Sequence, residues 1–154
     1  MTEQKYKYMQ QDDAGRSMIE IVGVLAIMGL MTAGAMVLVR SGSASNKRAR
    51  ASDEVMAIVE NIRGLYAGED GFSQMPTTEA EGTQLIDALY LNTVTPLGPD
   101  TKYSVKGVGE KEYFEVFLRG LDDDDCRVLA MKTWPDAFNV SCDGAGTLYL
   151  TFGR

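Results

Sequence analysis

Gly15-Arg16-Ser17-Met18-Ile19-Glu20 leads into residues 21–39, IVGVLAIMGLMTAGAMVLV, a run of 19 residues without a charge. As a helix this run extends ~28 Å at a rise of ~1.5 Å per residue, close to the ~30 Å hydrocarbon core of a bilayer. It exceeds the ~7–15 apolar residues of a secretory signal. Ser43-Ala44-Ser45 could attract ordinary signal peptidase, but it follows too long an apolar run. Glu20 stands at the head of this run. A carboxylate at mid-bilayer costs ~2.5–3.5 kcal/mol on insertion scales, so it needs an assigned partner. Arg16 precedes Glu20 by four residues and follows Gly15. A cut after Gly15 would put a new α-amine one helical turn from the Glu20 carboxylate. The plainer alternative is a signal-anchor helix with one acidic residue near its end.

The junction resembles the class III signal of type IV prepilins. In that family a leader ending in Gly is removed by a dedicated prepilin peptidase, which also methylates the new amine. A Glu at the fifth mature position then pairs with the amine of a neighbouring subunit. The resemblance implies cleavage between Gly15 and Arg16, N-methylation of Arg16, and Glu20 as the assembly carboxylate. Arg16 departs from the Phe, Met or Leu usual at the first mature position. The leader, residues 1–15, is longer than type IVa leaders and leans towards the type IVb branch. The implied partners are further copies of the chain, the peptidase, an inner-membrane assembly platform, and membrane lipid before assembly. The implied location is the bacterial inner membrane, with the C-terminal part outside, and then an extracellular pilus.

The rest of the chain suits that expectation. Residues 1–14 are polar and read as a cytoplasmic tail rather than a folded element. Basic residues flank residues 21–39 on both sides: Lys5, Lys7 and Arg16 before, Arg40, Lys47, Arg48 and Arg50 after. The positive-inside rule therefore gives no clear direction and slightly favours the C-terminal part inside, in conflict with the resemblance and the cysteines, which require it outside. Gly23, Gly29 and Gly34 fit close helix approach in lipid. Ser41-Gly42-Ser43-Ala44-Ser45 is a flexible joint or a weak helical continuation. Val55, Ile58, Val59, Ile62, Leu65 and Tyr66 recur at helical spacing, with Asp53, Glu54, Glu60 and Arg63 between them. The expected amphipathic helix covers residues 46–67 and stops at Gly68-Glu69-Asp70-Gly71.

Thr78-x-x-Glu81 has the form of a capping box ahead of a short helix with Leu85, Ile86, Leu89 and Tyr90. Pro96-Leu97-Gly98-Pro99-Asp100 is a turn cluster. Residues 103–108 and 113–118 read as a hairpin around Gly107-Val108-Gly109-Glu110. Asp122 to Asp125 open a third helix that runs towards Lys132, in keeping with its dipole, and Trp134-Pro135 ends it. Residues 138–142 and 147–152 read as two more strands, joined at Asp143-Gly144-Ala145-Gly146. The fold class is α+β and pilin-like. A long N-terminal helix, half membrane and half amphipathic, packs on a small antiparallel sheet with a C-terminal disulfide loop. The expected division is a leader at 1–15, an assembly helix at 16–40, and an outer head at 41–154 whose α/β part is 68–154. Its order of elements also looks like type IVb and conjugative-plasmid pilins.

Cys126 and Cys142 read as one disulfide in an exported domain, worth ~3 kcal/mol by loop closure, or as two thiols in a cytosolic one. Asp122 to Asp125 could attract calcium but lack the Asp/Asn-Gly spacing of a dedicated loop. A helix N-terminus with solvated charge is the simpler reading. Lys47, Arg48 and Arg50 read as a solvated face near lipid headgroups. The net charge of −7 argues against nucleic acid as a default partner. With no histidine, no G-x-S-x-G and no phosphate loop, no enzyme and no cofactor are indicated. The function expected is a structural subunit of a type IV pilus or related fibre. The alternatives are a type II secretion pseudopilin and an uncleaved, membrane-tethered binding domain.

Overall fold

The computed structural model describes residues 3–109 and 112–154, with Glu110 of the expected hairpin turn outside them. The chain divides into two compact units, Met1–Ser43 and Ala44–Arg154. Helix α1, Glu3–Tyr66, supplies all of the described secondary structure of the first and the start of the second. It begins inside the stretch read as an unstructured tail. Glu, Gln, Lys and Met are good helix formers, and no Pro interrupts them. Ser41 to Ser45 continue the helix.

In the first unit the large apolar side chains from Met18 to Val39 are 52–76% exposed. Thr32 Oγ1 donates to the Met28 carbonyl at 2.7 Å, which satisfies its hydroxyl along an otherwise apolar surface. This helix is long and apolar enough to cross a membrane.

In the second unit α1 buries Ala51, Ser52, Val55, Ile58, Val59 and Ile62, one stripe of a 3.6-residue period. Leu65, expected on that stripe, is half exposed and lines an open depression with Leu89. The stripe packs on an antiparallel sheet of order β1-β2-β4-β3. The strands are β1 Lys102–Val108, β2 Tyr113–Arg119, β3 Ala137–Cys142 and β4 Leu148–Gly153. Register decides the core. Val105, Val116 and Leu150 lie in one row, and Tyr103, Leu118 and Leu148 in the next. Alternation puts all six on the face towards α1, and all six are buried.

Helix α2, Glu79–Ala88, starts at Thr78, whose Oγ1 accepts from the Glu81 amide at 3.4 Å. It lies so close to β1 that a Cβ on Gly82 would stand 1.8 Å from the Val105 carbonyl oxygen. Tyr90, expected on its apolar face, falls beyond the helix end and is 98% exposed. Helix α3, Asp123–Ala130, is capped by Asp122, whose carboxylate accepts from the Asp125 amide at 2.6 Å. It ends short of Lys132, with Met131 as C-cap. Trp134 then folds back, its Nε1 donating to the Leu129 carbonyl at 2.8 Å.

Candidate functional site

Glu20 is exposed on the apolar segment of α1, and among the described residues no cation faces it. The side chain of Arg16, next to Gly15, lies outside what the structure describes. What the structure adds is the setting of Glu20: one carboxylate on a helical surface whose large apolar side chains find no partners within the unit. A contiguous apolar surface of this extent marks a membrane or protein contact.

The basic cluster divides. Lys47 and Arg50 are exposed, but Arg48 is not a solvated headgroup contact. Its Nε donates to Asp125 Oδ1 at 2.6 Å, joining α1 to the start of α3. The four aspartates are likewise divided between a cap (Asp122), an ion pair (Asp125) and two exposed charges (Asp123, Asp124). Among the described residues, no three carboxylate, Cys or His side chains converge as a metal site would require.

Cys126 and Cys142 are bonded, with Cα atoms 5.9 Å apart. Cys126 is buried and Cys142 exposed, so the bridge fastens α3 to the end of the edge strand β3. The adjoining turn is held by Asp143. Its Oδ1 accepts from the amides of Thr147 at 2.7 Å and Ala145 at 3.1 Å. The Thr147 amide is the main reason its carboxyl sits below the usual range, and slight desolvation opposes the effect. Another tie lies inside the head. The buried Tyr103 hydroxyl donates to Glu54 Oε2 at 2.8 Å, and Asn92 donates to Glu54 Oε1 at 3.0 Å. Burial first, and then Glu54, push the Tyr103 phenol well above its ordinary value.

Two surface features escaped the sequence. Asp136 adopts φ 59°, and the register shifts between Ala137 and Asn139. Phe138, expected as an ordinary strand residue, is therefore turned outward against Tyr113, ring centroids 5.4 Å apart. With Arg63 and Arg154 these rings border a groove of about 510 Å³. Arg63 is fixed there by the Gly153 carbonyl at 3.0 Å and Asp136 at 3.3 Å. The second feature is Tyr90 at φ 58°. The left-handed region costs a residue bearing a Cβ ~1–2 kcal/mol. Only the Pro135-Asp136 pair hinted at the first turn, and nothing in the local sequence signals the second.

No protein-family model matches the chain, and no solved structure does. Two curated proteins do. The major structural subunit of bundle-forming pilus from Escherichia coli O127:H6 (strain E2348/69 / EPEC) is 38% identical over 150 residues, covering 92% of this chain and 77% of that protein. The subunit of the same description from Escherichia coli O111:H- is 38% identical over 123 residues, covering 77% of this chain and 64% of that protein. Identity over most of both chains in the first case, on a long apolar N-terminal helix, an antiparallel sheet and a C-terminal disulfide, shows that the chain belongs to the type IV pilins of the type IVb branch.

Proposed function

We propose that this chain is a structural, non-enzymatic pilin that is made as a precursor. Residues 1–15 are removed between Gly15 and Arg16 by a prepilin peptidase, and the Arg16 amine is methylated. Residues 16–40 hold the subunit in the inner membrane, with 41–154 outside. An assembly platform then transfers it into an extracellular fibre. The observation that carries this reading is the exposed apolar surface from Met18 to Val39 with Glu20 at its head. Lipid covers that surface first and neighbouring helices cover it later.

Transfer leaves Glu20 in an apolar fibre interior, where an uncompensated charge costs several kcal/mol. The cation presented there by every copy is the N-terminal amine of the next subunit. This pairing fixes the register between subunits more than it adds net stability. Apolar packing of residues 21–39 supplies the attraction.

The test is N-terminal sequencing and mass of the protein recovered from membranes, with and without the peptidase. A chain beginning at Arg16, heavier by one methyl group, is expected, and a chain still beginning at Met1 would overturn the cleavage. Gly15→Ala should block processing. Glu20→Val should process normally but lose fibres, and fibres at parental yield would remove the register role.

A further inference from the structure

Two large aromatic side chains at opposite edges of the head sheet stand mostly in solvent. β1 and β3 are the outer strands. Helix α2 is fastened to β1: Thr83 Oγ1 donates to the Tyr103 carbonyl at 3.3 Å, and Ser104 Oγ to the Glu79 carbonyl at 2.7 Å. Tyr90 follows directly, in the left-handed conformation where helices usually place Gly. Its ring is almost wholly in solvent. Backbone strain of this kind persists where the surroundings hold it, and it concentrates at functional sites.

At the β3 edge, the left-handed Asp136 and the shifted register aim Phe138 outward, 76% exposed. A β-bulge that re-aims a side chain is a recurrent device beside binding sites. The groove there holds two aromatic rings, the Arg63–Asp136 ion pair and Arg154. Among the described residues, exposed Arg154 donates to the Glu69 carbonyl at 3.2 Å. Beside Tyr90 the charge is opposite: Asp87, one turn back on α2, is exposed.

We infer that Tyr90 of one subunit docks into the groove between Phe138, Tyr113 and Arg154 of a second copy, with Asp87 facing Arg154. The inference rests on the fibre-subunit reading and adds a contact between heads to the one between helices. A projecting ring and a matching groove on different edges of one chain form a heterologous contact, and such a contact propagates into a filament when it does not close. Tyrosine and arginine are the residues most enriched where a few side chains dominate an interface. A ring among two aromatics and a guanidinium gains edge or face packing and cation–π attraction.

Tyr90→Gly separates the two roles because it acts in opposite directions. Relief of the left-handed backbone should raise the melting temperature of the full chain in detergent. Loss of the ring should reduce fibres sheared from cells by about tenfold or more. Asp87→Arg and Arg154→Asp should each lower fibre yield, and the double variant should recover it. A photoreactive benzoylphenylalanine at position 90 should cross-link, in fibres only, to the neighbour's peptide containing Phe138. Parental fibre yield with Tyr90→Gly, no recovery in the double charge variant, or cross-links away from the groove would each overturn the docking. A wild-type chain that makes no fibres would instead overturn the subunit reading, and the docking with it.

Discussion

Val55, Ile58, Val59 and Ile62 are at most 1% exposed, whereas Ile21, Val24, Leu25 and Ile27, on the same helix α1, are 52–62% exposed. The residue types are the same, so the difference lies in what covers them. A fully buried aliphatic side chain gains ~1.5–3 kcal/mol over an exposed one. The second unit collects that gain internally, from a sheet whose inward rows meet the α1 stripe. The first unit collects it only from another medium or another molecule. On the proposed fibre reading, stability and assembly belong to different stretches of one helix, and substitutions of one kind should separate them.

The largest expected contrast is between two isoleucines. Ile58→Ala removes a buried side chain and should cost the head ~2–5 kcal/mol in urea unfolding of the full chain in detergent. Ile27→Ala should leave that transition where it is and lower fibre yield instead. Equal destabilisation by both would mean that residues 21–39 pack on something within the subunit.

The glycines sharpen the same point. A mid-helix Gly→Ala change ordinarily gains ~1 kcal/mol from helix propensity. At Gly82 the new methyl meets the Val105 carbonyl oxygen at 1.8 Å. Overpacking against backbone costs ~1–3 kcal/mol or more, so Gly82→Ala should come out destabilising by ~2 kcal/mol on the same assay. Gly29 has nothing within 4 Å, and Gly29→Ala should leave head unfolding unchanged. A smaller effect of ~1–2 kcal/mol belongs to Tyr103→Phe, which withdraws the hydroxyl from Glu54.

Local signals carried much of this architecture. Thr78 with Glu81 marked the start of α2, alternation marked the β1–β2 hairpin, and the Asp143 to Gly146 turn separated β3 from β4. In each case neighbouring residues decide the backbone. Sheet order was not legible, because β4 inserting between β2 and β3 depends on rows matched across the whole head. Arg48 and Asp125 are 77 positions apart, and no window along the chain joins them, so both were read as solvated. Tyr90 and Phe138 were placed by periodicity on helix and strand. Periodicity assumes regular φ, and it fails at a left-handed cap and at a bulge. On the apolar segment of α1 the order was reversed: the role read for Glu20 came from a family resemblance, and the fold adds only its exposed apolar setting.

The smallest predicted effect concerns acid. Asp143 ties the β3–β4 turn next to the disulfide by accepting two backbone amides, and its folded carboxyl titrates below the ordinary value. A carboxyl lowered on folding stabilises the fold above its unfolded value, ~3.9. That contribution is lost as the pH falls through the folded value. The difference in melting temperature between the parent and Asp143→Ala should therefore stay constant from about pH 7 to about pH 5 and shrink below about pH 4. A difference as large at about pH 2 as at neutrality would mean that Asp143 holds the turn through hydrogen bonds that its neutral carboxyl also accepts, and not through its charge.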